Sequence, residues 1–348
     1  TYEPSYELSK KIFPQNPSLS IAAVKNNLYQ TEINNFKKSN IPNYSKHSEN
    51  IKCRDQNFSI PSNYPAIQAK YTKNELLIMP LICGEFKFNG KSFSDVKLTN
   101  LMSSISNRGR DSKGTFKNTD IFLGHHRLSI IDTSDKSNQP MVIENYVIVF
   151  NGIIYNYKDI RQKLIAKGHI FKSTGDTEVV IRSYIEYGDK CVEHFDGVFS
   201  FCIYNLTKKN IFLARDRIGI KPLYYSIDNS ELVFSSSMRG ILSSKGKIEI
   251  NPIALNYQFT IHSMVPAPYT IIDGIKKLEP GHTLNVTKSG KTHLHKYFDI
   301  NNIEVKKYSD DEIINNIDTL LNNAVEKRLN IADVPVGILL SGGLDSSL

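Results

Sequence analysis

The 348-residue chain has no apolar run of transmembrane length, so a helical membrane span is not expected. No secretory leader is expected at its head. The apolar stretch at residues 76–82 is too short and is broken by Pro80. The net charge is +8, but Lys and Arg are scattered. Neither a basic stripe nor a nucleic-acid motif is present, which excludes the common nucleic-acid-binding classes. The four cysteines, Cys53, Cys83, Cys191 and Cys202, match no zinc or CxxC spacing. No protein-ligated metal site and no disulfide framework is expected from them. Cys191 and Cys202 read as small core residues. Internal repeats are missing, and so is the Gly-Lys-Ser/Thr of a Walker A loop. These absences leave a soluble enzyme or binding protein in a reducing, cytoplasmic setting, with no nucleic-acid or membrane partner.

What is present divides the chain by texture. Its length favours two domains, and a 40% hydrophobic content is enough for a core. Residues 1–75 are rich in Asn, Lys, Ser and Pro and carry no chemical motif, with one helix expected at 19–36. Regular pattern begins at Leu76. A helix is expected at 98–106, strands at 121–123 and 128–131, and a Val/Ile strand at 146–150 that ends on an Asn151-Gly152 turn. Helices follow at 154–167, stopped by Gly168, and at 177–187, stopped by Gly188. Short strands at 199–204, 211–214, 223–225 and 232–235 complete an α+β pattern of sheets packed with helix layers. After a boundary between 298 and 308, Ser309 with Asp310, Asp311 and Glu312 starts a helix that runs to 329.

Two constellations carry chemistry. At the end of the chain, a buried-type strand at 334–340 runs into Ser341-Gly342-Gly343-Leu344-Asp345-Ser346. Glycines there let backbone N–H groups converge on a phosphate, which the next helix would also attract. The second constellation follows Cys83-Gly84. Hydrolysing a side-chain amide needs a nucleophile, an oxyanion hole and a clamp for the charged ends of the amino acid. Arg127 can fork onto an α-carboxylate. Asn151 and Gly152 can donate to an oxyanion, and Asp176 can accept from an α-ammonium. Taken singly, each has a plain structural reading: a surface ion pair, a turn and a helix cap. Their order behind one cysteine favours the joint reading.

These segments resemble the glutamine-hydrolysing asparagine synthetases. The loop at 341–347 resembles the family's pyrophosphate loop. The stretches Asn107–Asp111, Arg127–Asp132, Asn151–Asn156, Thr174–Glu178, Arg215–Tyr225 and Lys277–His282 resemble its class II glutamine amidotransferase domain. The resemblance implies an α+β sandwich (αββα) of the N-terminal-nucleophile hydrolase fold over 83–298. At 299–348 the start of an α/β ATP-pyrophosphatase domain follows, behind a polar extension at 1–82. It implies Cys83 as nucleophile, with Asn151 and Gly152 in the oxyanion hole. Glutamine would be bound by Arg127, Leu128, Ser129, Ile130, Ile131, Asn151, Gly152, Ile153 and Asp176. ATP, with Mg2+, would be bound by Leu339, Ser341, Gly342, Gly343, Asp345 and Ser346. Glutamine, aspartate and ATP are the implied small-molecule partners, and a homodimer is the implied assembly.

The chain departs from the pattern at Arg110, where the family has proline, at Ile153, where it has glutamate, and at Ser237, where it has an acid. The family's mechanism uses the cysteine's own α-amine as base, and in this chain that nitrogen is in the Ile82–Cys83 peptide bond. Amidation of a different carboxylate, and a non-catalytic module with a blocked cysteine, are the competing expectations.

Overall fold

The computed structural model describes residues 80–336, apart from 107, 108, 244, 246, 247, 262 and 303–305. The expected helix at 19–36 and the loop at 341–347 lie outside these residues.

Among the described residues, twelve strands form two six-stranded sheets. The first contains β1 (Leu81–Lys87), β2 (Ser112–Lys117), β3 (Ile121–Arg127), β8 (Tyr224–Ile227), β9 (Glu231–Ser235) and β10 (Lys276–Lys277), in the order β10-β8-β9-β1-β3-β2. The second contains β4 (Met141–Ile143), β5 (Tyr146–Ile154), β6 (Gly197–Asn205), β7 (Asn210–Arg215), β11 (His282–Val286) and β12 (Thr292–Lys296), in the order β12-β11-β7-β6-β5-β4. Every pairing between these strands is antiparallel. Period-two alternation sorts each strand's residues between two faces. Ile82, Phe86, Leu123 and Phe234 from the first sheet meet Val147, Val149, Cys202 and Leu213 from the second in a dry layer between them.

Helices cover both outer faces. α1 (Asp95–Ser103) and α4 (Met238–Leu242) bring Leu98, Leu101 and Ile241 onto Leu81, Cys83 and Phe122 of the first sheet. α2 (Tyr157–Ala166) and α3 (Asp176–Tyr187) bring Ile160, Leu164, Val180 and Ile181 onto Ile148, Phe150 and Phe201 of the second. The layers are thus αββα, as expected. Two further helices follow: α5 (Pro252–Thr260) and α6 (Asp310–Leu329). α6 starts where its sequence predicts, with Ser309 and Glu312 closing a capping box. No described helix is long and apolar enough to cross a membrane.

Two expectations are corrected. Asn151-Gly152 is not a turn. β5 runs straight through it, with Asn151 opposite Ser200 and Gly152 opposite Phe199 on β6. The glycine answers to close packing: a Cβ there would lie 2.3 Å from the Val198 carbonyl oxygen and 2.7 Å from the Phe199 Cα. Residues 128–131 are not a strand either. The chain leaves β3 after Arg127, and polar groups from outside the sheet take its main-chain hydrogen bonds. The Ser129 N–H donates to Asp111 Oδ2 at 2.6 Å, and the Ile130 carbonyl accepts from the Asp333 N–H at 2.9 Å.

The outer face of β1 buries one carboxylate. Glu85 is fully buried, 2.7 Å from Lys87 Nζ and 3.3 Å from Lys97 Nζ, and both lysines also bridge Glu231. Burial raises the Glu85 pKa, against the pull of the two cations.

Candidate active site

A cavity of about 130 Å³ opens where β3 and β5 end and α3 begins. Seven of the residues assigned to glutamine line it: Arg127, Leu128, Ile130, Ile131, Gly152, Ile153 and Asp176. Ser129 does not; its backbone is tied to Asp111. Chain direction explains the grouping. β3 delivers Arg127 at its last position, β5 delivers Gly152 and Ile153, and α3 delivers Asp176 at its first.

Arg127 and Asp176 give the cavity two opposite buried charges. Arg127 is 5% exposed. Three of its five N–H donors are used by the loop that follows it. Nη1 donates to the Ser134 carbonyl at 2.9 Å and to Asn138 Oδ1 at 2.8 Å, and Nη2 donates to the Asp132 carbonyl. Burial lowers its pKa against the pull of the nearby carboxylates, yet a guanidinium stays charged. Asp176 is 6% exposed, and its Oδ2 accepts the Ile154 N–H at 3.1 Å. Burial pushes its carboxyl up to about 7, against the backbone bonds and Arg127. A buried carboxyl at that value sits on the edge of ionisation and is stabilised by any cation placed beside it.

Asp132 organises both charges, although the sequence offers no separate signal for it beyond the Arg127–Asp132 stretch. It holds a left-handed φ of 50°. Its carbonyl takes Arg127, and its carboxylate takes the Ser134 and Ser137 hydroxyls and the Thr174 N–H at 2.7 Å, two residues ahead of Asp176. Burial alone would raise its pKa, but these hydrogen bonds outweigh burial and hold it well below the usual carboxylate range. Two more lining residues went unnoticed in the sequence. Gln139 joins β5 to α3, accepting the Phe150 N–H at 2.6 Å and donating to Thr177 Oγ1 at 3.1 Å. His125 is fully buried, and its Nε2 lies 3.2 Å from the Phe150 carbonyl. Burial pushes its pKa down to about 3, so the ring is neutral. With Nε2–H donating, Nδ1 is a buried acceptor without a protein partner.

Cys83 stands apart from this cavity. β1 and β3 alternate, and Cys83 pairs with Gly124 while Ile82 pairs with His125. His125 and Arg127 therefore face the cavity, whereas the Cys83 side chain turns to the helix side of the sheet. There its Sγ lies 3.7 Å from Met102 Sδ. Burial pushes the thiol far up. Pro80, three residues ahead of Cys83, forms part of the cavity wall. Asn151 comes nearer to the junction. Its Nδ2 lies 3.4 Å from Ser236 Oγ, and that hydroxyl accepts the Ile82 N–H at 3.1 Å. The Ser236 N–H in turn donates to the Ile82 carbonyl at 2.9 Å. Asn151 Oδ1 is buried without a protein partner. The residues assigned to ATP lie outside the described residues, and no metal-holding group of three or more ligands occurs among those described.

The tight passage at Gly152 gives a local test. Gly152→Ala is expected to cost about 2–4 kcal/mol, because its Cβ meets backbone rather than a movable side chain. A denaturant melt within 1 kcal/mol of the parent would contradict the packing described.

Comparison with known proteins gives the family. Residues 79–298 match the model of the glutamine amidotransferase domain, and residues 316–348 match that of asparagine synthase. The chain is 35% identical over 254 residues to asparagine synthetase [glutamine-hydrolyzing] 3 of Bacillus subtilis, covering 71% of this chain and 40% of that protein. It is 37% identical over 283 residues to putative asparagine synthetase [glutamine-hydrolyzing] 2 of Methanocaldococcus jannaschii, covering 74% of this chain and 54% of that protein. It is also 33% identical over 263 residues to amidase chry2 of Gibberella zeae, covering 72% and 38%. The chain thus spans about half, or less, of the length of these relatives. It belongs to the glutamine amidotransferase family, its matching domain leading into the start of an asparagine synthase segment.

Proposed function

We propose that this chain carries the glutamine-hydrolysing part of a glutamine-dependent asparagine synthetase. The supporting observation is the cavity with Arg127 on one wall and Asp176 on another. An α-amino acid presents a carboxylate and an ammonium a few ångströms apart, and this pair of buried charges is their complement. With the zwitterion so held, the glutamine side chain extends toward the β1 end, where Asn151 waits beside the Ile82–Cys83 junction.

The chemistry then follows from atom types. Once the Ile82–Cys83 bond is cut and the Cys83 side chain has turned from the helix side toward the cavity, its Sγ attacks the amide carbon, and the thiol proton passes through the freed α-amine to the departing nitrogen. Ammonia leaves, and a thioester remains. Water, deprotonated by the same amine, cleaves the thioester to glutamate and regenerates the thiol. Asn151 Nδ2 is an oxyanion donor, since its bond to Ser236 at 3.4 Å is long enough to be exchanged for a better one. In this reading the glutaminase domain spans 83–298, and 299–348 begin the domain in which ATP activates an aspartate carboxylate for ammonia. A different carboxylate is the second reading. It is favoured by the similarity to amidase chry2, whose identity differs little from that of the synthetases.

Equilibrium binding of glutamine tests the proposal. Glutamine is expected to bind the parent, and to bind Arg127→Lys about ten- to thirtyfold more weakly, because an ammonium cannot reproduce the fork. A parent protein that binds no glutamine, or an Arg127→Lys variant that binds it equally, would overturn the clamp.

A further inference from the structure

The end of α6 and the segment after it pack beside the glutamine cavity. Ile331 is 7% exposed and packs into the same core cluster as Ile131 and Phe150, with Ala332 against it. Asp333 then makes two bonds to the loop beyond Arg127. Its N–H donates to the Ile130 carbonyl at 2.9 Å, and its Oδ2 accepts the Asp132 N–H at 2.8 Å. In the last turn of α6 the Arg328 guanidinium lies over the ring of Tyr155 at 4.9 Å, and Tyr155 directly follows β5, the strand that carries Gly152 and Ile153 of the cavity wall. Lys327 adds an exposed ion pair to Asp196 at 2.7 Å, a contact of small weight in water.

We propose that residues 328–333 form a clasp across the cavity, and that Asp333 is a positioning residue for glutamine. The inference rests on the glutamine reading given above. Asp132 is where the clasp acts: it carries Arg127 on its carbonyl and Thr174, ahead of Asp176, on its carboxylate. Its left-handed backbone is a conformation that a non-glycine residue keeps only when its surroundings hold it. Asp333 supplies the bond on the amide side of that residue. Without it, the Asp132 N–H loses its partner, and the spacing between the carboxylate clamp and the ammonium clamp loosens. Asp333 touches no part of the ligand space itself, since it does not line the cavity.

The test is glutamine binding by calorimetry to the full chain, in a Cys83→Ala background so that hydrolysis adds no heat. Asp333→Ala is expected to weaken glutamine about tenfold, through a lost charge-assisted bond and a loosened clamp. Asp333→Asn, whose amide oxygen can still accept the Asp132 N–H, is expected to restore the affinity to within about threefold of the parent. A purely structural role would lower the melting temperature of Asp333→Ala without changing affinity at a temperature where both proteins are folded, and that result would overturn the proposal. Amide exchange over residues 130–134 reads the clasp independently of the ligand. Faster exchange in Asp333→Ala supports the clasp even if the parent fails to bind glutamine, a failure that would refute the glutamine reading instead. Unchanged exchange overturns the clasp whatever the cavity binds.

Discussion

Cleaving the chain between Ile82 and Cys83 is expected to raise glutamate release from glutamine by about 10³-fold. The cut can be made by a site-specific protease acting on a recognition sequence placed ahead of Cys83. Two effects combine. The first is chemical. An amide nitrogen takes no proton, whereas an α-amine titrates near neutral pH and can accept the thiol's. A well-placed base accounts for about 10²–10⁴ in rate. The second is steric. Pro80 forms part of the cavity wall, and Ile82 fills the layer between the sheets beside His125. Releasing these residues frees the start of β1, so that the Cys83 side chain can turn from the helix side of the sheet toward the cavity. It also frees Ser236 from both of its bonds to Ile82. Stability should fall at the same time, by about 2–3 kcal/mol, as the Ile82 side chain leaves the core. A cleaved, folded protein that releases no glutamate would sink the nucleophile assignment, as would a cleaved Cys83→Ala protein that still does.

The part of this site legible in the sequence is the part set by local chemistry. Arg127 and Asp176 stand at the end of β3 and the start of α3, and ends are marked by residues that stop or start hydrogen-bond ladders. The sandwich was legible for the same reason, since Val/Ile runs and glycine stops separate its strands and helices. What stayed hidden depends on faces and on distant pairs. Asn151-Gly152 reads as a turn by composition, but the packing of Gly152 against Val198 and Phe199 carries β5 through it. That Cys83 and Arg127 project from opposite faces of one sheet follows from the β1–β3 register, which no single segment encodes. Asp333 lies about two hundred residues beyond the loop it holds, so nothing near either one announces the contact.

Replacing Asp176 by asparagine is expected to abolish useful glutamine binding and to stabilise the protein. The two effects share one cause. Burial raises the carboxyl to about 7 from an ordinary value of 3.8. The folded state therefore binds this proton more tightly than the unfolded state. The favourable contribution of the protonated carboxyl is complete below about pH 4 and is lost as pH rises through 7. Each pH unit between the two values is worth about 1.4 kcal/mol, so a penalty on the order of 4 kcal/mol stands above pH 7. Asparagine keeps an acceptor for the Ile154 N–H and carries no charge to desolvate. Denaturant melts should show Asp176→Asn more stable than the parent by about 1–3 kcal/mol at pH 8 and equal to it near pH 4. Binding runs the other way, because the ammonium of glutamine needs the ionised carboxylate. Affinity in the parent should fall about tenfold for each pH unit below 7 and level off above it. In Asp176→Asn it should be about 100-fold weaker at pH 8, with no such slope. A variant less stable than the parent at pH 8 would show that the carboxylate is not strained by burial. A variant that bound glutamine normally would move the ammonium site elsewhere. The combination expected, a more stable protein that has lost its ligand, is the signature of a charge kept buried for the ligand rather than for the fold.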